Sequence, residues 1–435
     1  MASTLDDLEP RAPAPPDRKD QAWWKKLGPG LITGAADDDP SGIATYSQGG
    51  AHFGFNIAWT LLFTYPLMIG IQMASARIGR VTGQGLTETF AHFCPRWLVG
   101  ALVGLLVLAN VINLGADLNA MGDSAAMLLP GPHGLYVLGF GGVSLVLQVL
   151  LPYARYVRVL KWLTLSLFAY VGVAFSVDVD WAVALRATAW PTVAWNKEYI
   201  TTVVAILGTT ISPYLFFWQA AQEVEEIKRV PADRPLRVAP EQIRKHLRRI
   251  KIDTYVGMGV SNLIAFFIMV ATAATLHAHG ITQIETTRQA ATALKPIAGE
   301  FAFALFAAGI IGTGLLALPV LAGSAAYAVA SFFKERKGLD RPLAAALPFY
   351  AILAGAMTVG VCLGSAHIDP IKALFWAAVI NAVISVPIMI AVMVAASSHK
   401  IMGDIVLSMK WRILGWAATL AMAVATITMA VSRFA

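Results

Sequence analysis

Eleven apolar segments of roughly 20 residues recur along this chain, and no other feature of it restricts the fold so tightly. A segment of that length spans the hydrocarbon of a bilayer as a helix. Inside lipid only helices and closed barrels satisfy every backbone polar group. The segments lie near residues 29–51, 57–77, 98–128, 135–152, 159–178, 199–222, 252–276, 300–331, 343–364, 371–396 and 413–432. The runs 98–128 and 300–331 are long enough to tilt or to extend past the membrane. Of the 435 residues, 57% are hydrophobic and only 14% are charged, against about 25% charged in soluble domains. The expected architecture is one all-α bundle integral to a membrane, with lipid as its surrounding partner.

Charge placement gives a topology. With the N-terminus inside and strict alternation, 27 of the 33 Lys and Arg fall on the inner side and 6 on the outer. That is the bias of the positive-inside rule. It predicts a cytoplasmic N-terminus, a C-terminus outside, and no nucleic-acid role for the net charge of +7. The basic stretch 228–251 reads as a solvated cytoplasmic loop. Residues 1–27 are expected to form a disordered cytoplasmic tail. They are rich in Pro, Asp and Arg and lack the short apolar run of a cleaved signal. Residues 28–396 would form the transmembrane core, and 397–435 a loop and an added eleventh helix. Cys94 and Cys362 are too few for a disulfide framework or a cysteine metal cluster.

Two segments are poor membrane helices at their centres. The first holds Gly34-Ala35-Ala36-Asp37-Asp38-Asp39-Pro40-Ser41-Gly42, and the sixth holds Gly208-Thr209-Thr210-Ile211-Ser212-Pro213-Tyr214. Proline removes a backbone donor and clashes with the turn before it, so both helices are predicted to unwind there. Unwound backbone at membrane depth survives only beside protein or a water-filled cavity. Broken helices at equivalent places of two halves point to a transporter site between inverted repeats. Segments one and six are equivalent in a five-plus-five arrangement, with repeats near 28–178 and 199–396.

A single charge at mid-bilayer costs about 2.5–3.5 kcal/mol on insertion scales. Asp37, Asp38 and Asp39 together therefore need water, a cation or protonation. Carboxylates and freed carbonyls are hard ligands, suited to Mg²⁺, Mn²⁺ or Ca²⁺. The first break offers the three carboxylates, with Ala36 a further candidate. The second adds Ser212 and the Thr209 carbonyl, and neither contains Cys, His or Met. Asn381 in the tenth segment is a candidate ligand or an interhelical hydrogen bond. Asp117 and Asp123 either line an aqueous path or lie idle near a helix end. Glu223 reads as a solvated helix end, and His277 and His279 as surface residues.

These residues are similar to a known family. Gly28-Pro29-Gly30, Asp39-Pro40 and Gly49-Gly50-Ala51-His52-Phe53-Gly54 resemble the GPG…DPGN…AGAxFG stretch of the Nramp divalent metal transporters. Arg77-Ile78-Gly79-Arg80-Val81-Thr82-Gly83 resembles their RLGIATG loop, and Pro213 matches the Pro of MPH. Ile401-Met402-Gly403-Asp404 with Ile413-Leu414-Gly415-Trp416 resembles the MGE…ILGW ending. The resemblance implies a LeuT-type inverted repeat with helices 1 and 6 broken. It also implies Asp39 as principal ligand, with Asn381 at a polar position that closes over the ion.

The departures are chemical. Gly42 stands for the metal-binding Asn, Ser212 for the methionine ligand, Tyr214 for the following His and Gln219 for a second His. Ala120 replaces an acidic residue of the proton path, and the ninth segment has no Arg. This pattern resembles the Nramp-related magnesium transporters. It implies an inner-membrane importer of Mg²⁺, and of Mn²⁺, not coupled to protons. No cofactor is expected, and a monomer is. Uptake should weaken at low pH by proton competition at the Asp triplet. A proton-coupled Mn²⁺/Fe²⁺ symporter would need Asp117, Asp123 or Glu223 as acceptor. A non-transporting sensor would need a larger soluble domain than 228–251. An enzyme would need a nucleophile–base pair or zinc motif, and none is written here.

Overall fold

The computed structural model describes residues 29–150, 163–339, 341–366 and 368–434, and these form helices and loops. The expected tail 1–27, and Arg155, Arg158 and Lys161, lie outside the described residues. The first segment is two half-helices, α1 (Pro29–Asp37) and α2 (Pro40–Phe53). Then come α3 (Trp59–Thr82), α4 (Arg96–Leu128) and α5 (His133–Leu150). The fifth segment is described from Leu163 and contains α6 (Phe168–Ser176). The chain then bends by 115° into α7 (Trp181–Ala189), a helix that the apolar pattern did not announce.

The sixth segment is again split, into α8 (Lys197–Thr210) and α9 (Pro213–Arg229). The remaining spans are α10 (Ile243–Thr275), α11 (Ala302–Phe333), α12 (Leu347–Gly364), α13 (Pro370–Ser397) and α14 (Met409–Phe434). Among the described residues, nine helical stretches are long and apolar enough to cross a membrane. The bent fifth segment raises that to as many as ten, and the first segment enters the bundle as its two half-helices. The two long runs are single helices, α4 of 33 residues and α11 of 32.

Packing repeats between the halves. α2 packs on α10, and α9 packs on α3; α4 pairs with α5, and α11 with α12. Exchanging spans one to five for six to ten turns each contact into its counterpart. α4 and α11, third in their repeats, lie along each other, while α14 sits outside the repeat against α3 and α13. Glycine lets the half-helices approach closely. A Cβ on Gly34 would lie 2.3 Å from the Gly257 carbonyl carbon, and one on Gly208 only 1.9 Å from the Ala378 carbonyl oxygen. Such small-residue contacts take the place of the hydrophobic effect between helices in lipid.

The 228–251 stretch is not simply a solvated loop. α9 runs on to Arg229, and α10 starts at Ile243. Between them Arg80 Nη2 donates to Asp233 Oδ2 at 2.6 Å and to His246 Nε2 at 2.8 Å. Burial opposes ionisation of Asp233, but the Arg80 bond and charge outweigh it and hold this carboxyl below the usual range. Glu223 is fully buried and paired with Arg249, which also reaches Asp253 at 3.2 Å. The expectation of a solvated Glu223 is therefore corrected. A buried guanidinium must find carboxylates, and it draws them in with it.

Candidate metal centre

Both breaks arise from the same backbone rule. The residue before a proline is driven out of the α region, and a proline is well suited to the first position of a helix. Asp39 (φ −71°, ψ 170°) and Ser212 (φ −81°, ψ 137°) are accordingly extended, and each is the N-cap of the half-helix that follows. The C-terminal ends of α1 and α8 then hold carbonyls without helical partners, with the negative ends of the helix dipoles beside them. The two breaks face each other. A Cβ on Gly42 would lie 3.3 Å from Thr209 Oγ1 and 3.5 Å from the Asp37 carbonyl oxygen.

Asp39 is the hub. Its Oδ1 accepts from Ser41 Oγ at 2.7 Å and from the Gly42 amide at 2.8 Å. Its Oδ2 accepts from Tyr214 Oη at 3.1 Å and from Asn113 Nδ2 at 3.4 Å. Tyr214 Oη also lies 3.2 Å from the Ala36 carbonyl oxygen, so one phenol joins the second break to both sides of the first. Ser41 Oγ and Thr209 Oγ1 are 3.4 Å apart.

The other two carboxylates turn elsewhere. Ser261 Oγ on α10 lies 2.6 Å from Asp37 Oδ2 and 3.1 Å from Asp38 Oδ1. No group of three or more His, Cys, Asp or Glu among the described residues converges in a way that could hold a metal ion. The triplet thus splits, Asp39 toward α4 and α9 and its neighbours toward α10. Consecutive side chains in a bend leave in different directions, so adjacency in sequence does not make a chelate.

Ser212 Oγ donates back to the carbonyls of Gly208 at 2.7 Å and Thr209 at 2.9 Å. The Thr209 carbonyl expected as a ligand is therefore engaged by the Ser212 hydroxyl expected beside it. Ser385 on α13 donates to the Ile211 carbonyl at 3.0 Å. Asn381, one turn earlier, is buried, and among the described residues neither its amide oxygen nor its nitrogen has a hydrogen-bond partner. An interhelical bond does not explain that residue. Asp117 on α4 is also buried, with both carboxylate oxygens unpartnered among the described residues. Gln219 accepts from Thr33 Oγ1 at 2.6 Å, joining α9 to α1.

Asp37, Asp38, Asp39, Thr209, Ser212 and Asn381 are at most 4% exposed, so the centre is closed to both ends of the bundle. Above α2 a cavity of about 400 Å³ opens among Gln48, His52, Lys197, Glu198, Glu285 and Lys372. His277 is exposed, as expected, and its Nδ1 lies 2.8 Å from the Ala51 carbonyl oxygen at the end of α2.

Sequence reasoning missed Ser41, Tyr214 and Ser261 as participants. Tyr214 was within reach, since it follows the second break's proline. Ser261 carries no local signal, being one small polar residue in an apolar helix.

The sequence profile described as "Natural resistance-associated macrophage protein-like" matches residues 30–432. The divalent metal cation transporter MntH of Caldanaerobacter subterraneus subsp. tengcongensis is 26% identical over 396 residues, covering 86% of this chain and 85% of that protein. The fold is similar to the crystal structure of the Eremococcus coleocola manganese transporter, with a TM-score of 0.72 at 16% identity over 98% of this chain and 91% of that one. It is also similar to Mhp1, a nucleobase-cation-symport-1 family transporter, with a TM-score of 0.58 at 14% identity over 93% of this chain and 90% of that one. A multi-pass bundle of the LeuT type, broken at spans one and six around buried carboxylates, and a family match over nearly all of its length lead to one conclusion: the chain belongs to the Nramp family of membrane metal transporters.

Proposed function

We propose that this protein imports divalent cations, Mg²⁺ foremost and Mn²⁺ with it, by alternating access and without proton coupling. The observation that carries the reading is the donor set where the breaks meet. Asp39 is surrounded by Ser41, Tyr214 and Asn113, with the Ala36 carbonyl and the Thr209 hydroxyl beside them, and none of these brings sulfur or imidazole. Hard oxygen donors suit a hard ion that keeps part of its water shell.

Asp39 is the principal ligand in this reading. The ion displaces Tyr214 and Asn113 from Oδ2. Asp37, whose Oδ1 has no partner among the described residues, joins directly or through water, and Asn381 closes from α13. The membrane potential supplies the drive, about 2.3 kcal/mol per charge per 100 mV and about twice that for a divalent ion. The same reading puts the protein in an inner membrane as a monomer, N-terminus in the cytoplasm and C-terminus outside.

A second reading, proton-coupled Mn²⁺ transport, rests on Asp117, a buried carboxylate with no partner among the described residues. The test is uptake of Mg²⁺ and Mn²⁺ into proteoliposomes with internal pH recorded, for wild type and Asp117→Asn. Mg²⁺ uptake without acidification, unchanged in the variant, is expected. Mn²⁺-only uptake with acidification that vanishes in the variant supports the second reading instead. Uptake that stays flat from mildly acidic to neutral pH counts against carboxylate ligation.

A further inference from the structure

A second cavity, of about 760 Å³, lies at the opposite end of span six from His52 and Lys197. Its walls are the connection from α3 to α4, the end of α9, and residues 331–337 with Arg341 at and beyond the end of α11. Six cationic side chains line it: Arg96, Lys228, Lys334, Arg336, Lys337 and Arg341. Among the described residues two carboxylates, Glu88 and Glu335, line it beside them. Lys337 is neutralised by Glu88 and also bonds Ser331, and Lys228 is held at 3.1 Å by Glu225, outside the lining. Arg96 lies 5.5 Å over the Phe332 ring. None of these residues touches the metal centre.

The positive-inside rule explains the sign of this surface, but not its concavity and not Lys334. Among the described residues Lys334 is the one non-glycine residue with positive φ (61°, with ψ 32°), at the C-cap of α11. Glycine is the usual occupant of such a position, because a side chain there costs roughly 1–2 kcal/mol. A lysine keeps that strain and gains an ammonium on the cavity wall. An outlier of this kind points to use.

We propose that this cavity binds a phosphate-bearing anion, either the headgroup of an anionic lipid or a soluble polyphosphate. Its volume lies in the range of small-molecule sites, about 300–1,000 Å³. Arg forks and lysine ammonium groups are the side chains that bind phosphate oxygens. Arg96 opens one membrane span and Lys334 closes another, so the cations stand at the depth of lipid headgroups.

Lys334→Gly provides the test, because it removes the charge and relieves the backbone together. The variant must fold at least as well as wild type, so lost binding cannot be put down to unfolding. Inorganic triphosphate is titrated onto detergent-purified protein by calorimetry, and retained phosphatidylglycerol is counted by native mass spectrometry from mixed phosphatidylcholine–phosphatidylglycerol nanodiscs. Triphosphate binding that Lys334→Gly and Arg341→Gln each weaken roughly tenfold identifies a soluble anion. Phosphatidylglycerol retention that the same variants reduce, with triphosphate inert, identifies a headgroup. Binding of neither probe, or binding indifferent to both variants, overturns the proposal.

Discussion

In the first break Asp39 stands extended before Pro40, and its carboxylate takes donors from its own half-helix, from α4 and from α9. In the second, Ser212 stands extended before Pro213, and its hydroxyl turns back on the helix it follows. One backbone device thus serves two chemical ends. The first break holds negative charge whose partners come from across the bundle. The second holds shape, freed carbonyls and Tyr214, and it satisfies its own hydroxyl. Pseudo-symmetry places the breaks opposite each other, but it does not make them equivalent ligand donors.

The largest expected effect comes from removing the charge while keeping the cap. Asn caps helices about as well as Asp, so Asp39→Asn should fold with a melting temperature near wild type and lose divalent uptake. Retained uptake would make Asp39 a cap alone and erase the contrast between the breaks. The next effect is a change of preference. Ser212→Met puts a soft thioether into the oxygen site and should move uptake toward Mn²⁺ and Cd²⁺ at the expense of Mg²⁺. Competition uptake with Cd²⁺ measures it, and unchanged competition would mean that the second break does not reach the ion.

Tyr214→Phe cuts the phenol between Asp39 and Ala36. A hydrogen bond to a charged group contributes about 1.5–3 kcal/mol, so thermal unfolding in detergent should report a loss of that order while some uptake remains. Ser212→Ala should have the smallest effect, below about 1.5 kcal/mol in stability and little in uptake, because the hydroxyl bonds only its own helix. If it abolished uptake as Asp39→Asn is expected to, Ser212 would be a ligand after all and the second break would be as chemical as the first.

The breaks were legible because their causes are local. Pro66, Pro319 and Pro387 sit inside continuous helices, so proline alone is an ambiguous signal. At 40 and 213 a capping Asp or Ser stands immediately before the ring, and glycines flank the break. The division of the Asp triplet was not legible, and neither was the burial of Glu223. An acidic helix end beside basic residues looks solvated until Arg249, itself on a buried face of α10, meets it.

The sequence by itself determined the multi-span helical class of the fold and the places where two of the spans unwind. Those properties depend on the transfer of each segment into lipid and on the backbone limits of neighbouring residues, both settled within about twenty positions. Only the tertiary structure decided which atoms meet. The partners of Asp37 and Asp39 come from Asn113, Tyr214 and Ser261, between 74 and 224 positions away. Nothing local marks them, since a polar side chain in an apolar helix can bond its own backbone, a neighbour or an ion equally well until packing brings one within reach.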